Sequence, residues 1–69
     1  MPEASVIANG QRQPFRQPCS LEEFLLSQGL LPRSVVVELN GEAVSPSEFS
    51  SRQLKHGDSL EVVRVVAGG

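Results

Sequence analysis

The chain has 69 residues, with six basic and eight acidic side chains, a net charge of −2 and a single cysteine. A chain of this length forms one thin domain, a sheet with a helix against it, and has little material for a second wall around a catalytic cleft. The basic residues are scattered and the three aromatic residues are all phenylalanine, so we expect no nucleic-acid binding.

A cytoplasmic location is the expectation from the N-terminus and the cysteine content. One cysteine cannot form an internal disulfide, and small domains without disulfides are typical of reducing compartments. Residues 1–5 show no basic start or apolar run that would indicate a signal peptide. The apolar stretches are far shorter than the roughly 20 residues that span a bilayer, so no membrane association is expected.

The first predicted elements form a β-hairpin. Ala4–Ala8 leads into Asn9-Gly10, a pair that tolerates the positive φ angles of a type I′ turn. The return strand is predicted at about residues 11–17, with Phe15 facing inward. Pro14 lacks an N–H donor, so this strand is expected at a sheet edge.

A helix is predicted over residues 21–28. Ser20 and Glu23 have the spacing of a capping box, and Gly29 is a typical residue to follow a helix. Three apolar side chains lie on one helical face: Leu21, Phe24 and Leu25. A helix this short is marginal alone in water, so it must pack on a sheet.

The next hairpin is predicted from residues 34–40 and 42–44, joined by a second turn of the same type, Asn40-Gly41. The alternating apolar residues of its first strand are Val35, Val37 and Leu39. Val36 and Glu38 alternate on the other face.

The last third of the chain begins with a short helix that has Pro46 in its first turn. Phe49 and Leu54 are predicted to fix this irregular stretch to the core. Residues 56–58 form a turn, and a last strand is predicted over residues 59–66.

No conventional active site is predicted. His56 reads as a solvated turn residue, and Glu23 of the adjacent pair Glu22-Glu23 is assigned to the helix cap. Cys19 is interpreted as a small residue packed at the helix start, although that position leaves a reactive thiol open. One cysteine and one histidine cannot supply the roughly four ligands of a zinc site, and no phosphate-binding loop is present.

The C-terminal residues are the most unusual feature. An apolar strand runs directly into Ala67-Gly68-Gly69. Glycine lacks a Cβ, so a partner's active site can close around this backbone and reach the Gly69 carboxylate. We therefore divide the chain into a single domain, residues 1–66, and a flexible tail, residues 67–69; an inert tail is the alternative.

The order of these elements resembles the ubiquitin-like β-grasp sulfur carriers, in particular the ThiS family of thiamine biosynthesis. The segments that carry the resemblance are Asn9-Gly10, Leu21 with Phe24-Leu25, residues 35–41, residues 57–58, residues 60–63 and Val66-Ala67-Gly68-Gly69. The fold that the resemblance implies is α+β: a mixed sheet of four to five strands packed on one main helix.

The resemblance also implies a mechanism in which the chain is a carrier and not an enzyme. An E1-like adenylyltransferase (ThiF type), with ATP and Mg²⁺ bound to itself, would convert the Gly69 carboxylate to an acyl-adenylate. A persulfide donor would displace AMP, and a thiazole synthase (ThiG type) would use the resulting thiocarboxylate. This chain would bind no cofactor and would be a monomer when free.

The end of the last strand is a predicted partner surface, composed of Val63, Arg64, Val65 and Val66. Strict alternation places Leu60 and Val62 toward the helix, and Val63 and Val65 on the opposite face. Exposed apolar surface next to the tail would mark an interaction site. Burial of these valines in a twisted strand end is the alternative, and both remain open at this point.

Three other functions compete with the ThiS reading. A molybdopterin-synthase small subunit would use the same tail, but residues 63–66 lack the proline often found there in that family. A protein modifier would instead join Gly69 to a lysine. A plain binding module would have an inert tail.

Overall fold

The computed structural model describes residues 4–65, which form a five-stranded sheet with one helix packed on it. The strands are β1 (Ala4–Ala8), β2 (Gln11–Phe15), β3 (Val35–Leu39), β4 (Glu42–Val44) and β5 (Ser59–Arg64). The helix, α1, spans Leu21–Ser27, and short 3-10 turns occupy Pro32–Ser34 and Pro46–Glu48. None of the helices within residues 4–65 has the length and apolar character needed to cross a bilayer.

The last strand lies in the middle of the sheet, whose order is β2-β1-β5-β3-β4. It runs parallel to β1 and antiparallel to β3, so the sheet is mixed. The two hairpins form its outer pairs, and Pro14 lies on the edge strand β2, where its missing N–H is tolerated. This topology brings the residues before the C-terminus between the two hairpins.

The helix α1 begins at the predicted capping box. Glu23 N–H donates to Ser20 Oγ at 3.0 Å, and Ser20 N–H donates to the Glu23 carboxylate at 2.9 Å. The three predicted apolar residues of the helix are buried against the sheet. The core that they complete also contains Val6, Phe15, Val35, Val37, Leu39, Val44, Phe49, Leu54 and Leu60. The helix therefore covers one face of the sheet and leaves the other to solvent.

The observed element ends differ slightly from those predicted. Strand β2 ends at Phe15 instead of residue 17, because Phe15 pairs with Ala4, the first residue of β1. Helix α1 ends at Ser27, with Gln28 as its C-cap. Ser34 belongs to a 3-10 turn that the sequence did not predict, and Val66 lies outside the described residues.

Candidate functional site

Three exposed valines form an apolar patch beside the C-terminal end of β5. Val63 is 62% exposed, Val65 is 53% exposed, and Val36 of β3, directly opposite Val63, is 53% exposed. We call these three residues the valine patch. Large aliphatic side chains are usually buried, so three exposed ones together mark a candidate interaction surface.

The patch is exposed because strand alternation and helix coverage divide the sheet into two faces. Leu60 of β5 is fully buried and Val62 is partly buried against the core, so the residues between and after them point to the uncovered face. Glu61 and Glu38 pair across β5 and β3 on that face. The patch is therefore bordered by two carboxylates toward the start of β5.

Val36 is the member of the patch that was not predicted from the sequence. Its position on the outer face of β3 was predicted, but its contact with Val63 depends on the pairing of β3 with β5. Arg64, which was predicted as part of the partner surface, is exposed at the end of β5. Val66, the fourth predicted member, lies outside the described residues.

Two shallow surface grooves flank the end of β5. One, of about 210 Å³, is lined by Leu30, Leu31, Arg64 and Val65 among others. The other, of about 490 Å³, includes Asn9 and Val63 in its lining. Val65 and Val63, two members of the valine patch, therefore each line one of these grooves.

The two Asn-Gly turns bind β5 at its two ends through asparagine side chains. Asn9 Oδ1 accepts the Val62 N–H at 2.8 Å, and its Nδ2 donates to the Val62 carbonyl at 3.0 Å. Asn40 Oδ1 accepts the Ser59 N–H at 2.9 Å, and its Nδ2 donates to Asp58 Oδ1 at 3.0 Å. The sequence identified both pairs as turns, but these contacts depend on strand order and were not predicted.

The titratable candidates of the sequence lie away from the valine patch. Cys19 packs against the core, and burial raises the pKa of its thiol, with the Glu23 carboxylate adding to the increase. His56 is exposed, and its Nδ1 accepts the Ser5 N–H at 3.1 Å. Within residues 4–65 no three side chains of histidine, cysteine, aspartate or glutamate converge as metal ligands.

Comparison with known proteins identifies the family. The model of the ThiS family matches residues 4–69, which is nearly the whole chain. The chain belongs to the ThiS family. The predicted family is thereby confirmed, as is the predicted function of a sulfur carrier in thiamine biosynthesis.

Two curated relatives of this ThiS-family chain differ greatly in length. The sulfur carrier protein ThiS of Thermus thermophilus is 38% identical over 61 residues, which are 88% of this chain and 94% of that protein. A thiazole synthase of Paramagnetospirillum magneticum is 33% identical over 64 residues. That match covers 93% of this chain but only 20% of the synthase, so the ThiS-like chain spans about a fifth of it.

Solved structures confirm the β-grasp prediction. The crystal structure of a thiamine biosynthesis protein (ThiS) from Geobacter metallireducens superposes with a TM-score of 0.79 at 26% identity, covering 94% of this chain and 99% of that one. A solution NMR structure of a thiamine biosynthesis protein from the same organism gives a TM-score of 0.77 at 26% identity, with coverages of 94% and 87%. The β-grasp fold therefore holds over nearly the full length of a ThiS protein.

Proposed function

We propose that the α-carboxylate of Gly69 is the group on which this ThiS-family chain carries sulfur. The observation that carries the proposal is that the family match continues to residue 69, through Ala67 and Gly68. These residues lie outside the part that the structure describes, so their role is argued from sequence. Two glycines without a Cβ suit a narrow enzyme channel around the reacting end.

The chemistry must first activate a resonance-stabilised carboxylate. In the proposed reaction, a Gly69 carboxylate oxygen attacks the α-phosphorus of ATP and pyrophosphate leaves, on an E1-like adenylyltransferase of the ThiF type that also holds Mg²⁺. The terminal sulfur of a persulfide donor then attacks the acyl carbon and expels AMP. A second thiol reduces the resulting acyl disulfide and releases the thiocarboxylate. Dividing one difficult transfer into activated steps is the logic of covalent catalysis.

The proposed recipient is a thiazole synthase of the ThiG type. Support comes from the ThiS-like segment within the thiazole synthase of Paramagnetospirillum magneticum, because joining two functions in one chain raises the effective concentration of each for the other. In this proposal the chain is a co-substrate of both enzymes and binds no cofactor of its own. We also propose that it works in the cytoplasm and is a monomer when free.

The proposed surface for these enzymes is the valine patch together with Arg64 and Val66. Exposure of Val63 and Val65 supports the first of the two alternatives left open by the sequence, a free apolar strand end. A partner that covers this face is brought next to the residues that lead to Gly69. Binding and delivery of the reactive end would then use one side of the molecule.

Intact mass spectrometry of the chain purified from its native cell tests the proposal. We expect a labile species in which one terminal oxygen is replaced by sulfur, and reconstitution with ATP, Mg²⁺, the activating enzyme and a persulfide donor should increase it. Deleting Gly68 and Gly69, or adding a residue after Gly69, should abolish this species while the NMR spectrum of the domain stays unchanged. Sulfur loading that persists in the extended variant would contradict the proposal.

A further inference from the structure

The side chain of Asn9 extends the pairing of β5 beyond the end of β1. Strand β1 ends at Ala8, and the Asn9 N–H donates to the Leu60 carbonyl at 2.9 Å. The Asn9 amide then binds both main-chain groups of Val62, at 2.8 and 3.0 Å. One side chain thus takes the place of the next strand residue.

Val62 is the last β5 residue held from the β1 side within residues 4–65. Main-chain groups point alternately to the two sides of a strand, and the Val65 N–H donates to the Ser34 carbonyl next to β3. The main-chain groups of Val63 and Val65 therefore face β3. The main-chain groups of Arg64 face the β1 side, where β1 has already ended. Within residues 4–65, pairing on that side of β5 therefore stops at the Asn9 side chain.

We propose that Asn9 is a positioning residue for the end of β5, the strand that leads to Gly69. Asn9 holds Val62 from the β1 side while the Ser34 carbonyl holds Val65 from the β3 side, so together they fix the course of Arg64 and Val65 before the reacting end is presented to the activating enzyme. The inference rests on the proposed function of Gly69. A chain that leaves from a fixed point has fewer orientations to lose on docking, so the benefit appears in the binding of the carrier to the enzyme.

The second Asn-Gly turn offers a matched control. Asn9 and Asn40 have φ angles of 51° and 52°, which glycine adopts without strain. Replacing either by glycine therefore preserves the turn and removes two side-chain hydrogen bonds near β5. The Asn40 bonds hold Asp58 and Ser59, at the start of the strand, whereas those of Asn9 hold Val62, close to its end.

The first measurement is amide hydrogen exchange by NMR on the two variants of the full chain. Asn9→Gly should speed exchange of the Val62 amide about tenfold and increase the fast motion of Arg64 and Val65, because Val62 loses its acceptor. Asn40→Gly should affect Ser59 and leave Val62 unchanged. This readout needs no partner enzyme.

The second measurement is ATP–pyrophosphate exchange by the ThiF-type enzyme of the same organism, with the variants as substrates. Asn9→Gly should raise KM for the carrier about five- to tenfold with kcat nearly unchanged, since the reacting carboxylate is intact once docked. Asn9→Asp keeps the acceptor for the Val62 N–H and should fall between wild type and glycine. If the Asn9→Gly variant does not fold, the KM of the Asn9→Asp variant tests the role of Asn9 instead.

The outcomes separate this inference from the proposed function. A wild-type chain that the enzyme does not activate overturns the proposed function and the inference with it. A wild-type substrate whose Asn9→Gly and Asn40→Gly variants have the same KM overturns the inference alone. A change confined to kcat would also overturn it, because positioning through Val62 acts on docking.

Discussion

Two neighbours favour the protonated form of the Cys19 thiol: the apolar core against which it packs and the Glu23 carboxylate. Burial is the larger cause of the raised pKa of this thiol, and the negative charge of Glu23 raises it further. The ordinary value is 9.0, so the neutral thiol predominates at neutral pH. The thiol pKa is higher in the folded chain than in the unfolded chain. The contribution of the protonated thiol to the free energy of unfolding is therefore present below pH 9 and is lost as pH rises through the folded value. These surroundings support the interpretation of Cys19 as a packing residue.

Neutralising Glu23 should make this thiol more reactive. Glutamine retains an acceptor for the Ser20 N–H and so keeps the capping box, while Glu23→Gln removes the charge that opposes the thiolate. We expect iodoacetamide labelling at pH 8 to become about two- to threefold faster. Glu22→Gln is the control and should leave the rate unchanged. Equal rates in both variants would show that burial alone sets the reactivity.

At the scale of elements, the cap of helix α1 makes a local contribution to stability that can be isolated. Ser20 is buried and accepts the Glu23 N–H at 3.0 Å. Ser20→Ala should cost about 1 kcal/mol, which lowers Tm by about 4–8 °C in a domain of this size. Urea unfolding followed by circular dichroism measures the change. Ser50→Ala, at an exposed turn position, should stay within about 0.5 kcal/mol of wild type; equal losses would argue against the cap.

The elements that could be predicted from sequence are those determined by neighbouring residues. The capping box, the two Asn-Gly turns and the alternation of Val35, Val37 and Leu39 all depend on contacts within a few positions. The 3-10 turn at Pro32–Ser34 was not predicted, because a proline shortly after a helix is typical of a residue that stops it. The φ angle of proline suits a new helical turn equally well.

The candidate site was only partly predictable because its contacts join distant parts of the chain. Alternation along β5 alone indicates Val63 and Val65. Selecting Val36 requires knowledge that β3 pairs with β5, and the Asn9 bonds to Val62 span 53 positions. No local pattern encodes such a separation, so the structure was needed to complete the patch and to find the Asn9 contact.

At the scale of the whole molecule, the helix covers one face of the sheet and leaves the other exposed. The valine patch lies on the open face at the end from which the C-terminal residues continue. We expect the activating enzyme and the thiazole synthase to use this same surface in turn, since in the proposed function both act on Gly69, which follows this strand in the chain. A single change in the patch should therefore weaken both interactions.

Val63→Asp tests this expectation, because covering the patch would then bury an unpaired carboxylate. We expect binding to each partner to weaken at least about tenfold, roughly 1.4 kcal/mol, as measured by calorimetry on a chain that remains a folded monomer. Ala43→Asp adds the same charge to the same face on β4, two strands away, and should bind normally. An unfolded Val63→Asp variant would show that this valine supports the core, and normal binding by a folded one would place the partner surface elsewhere.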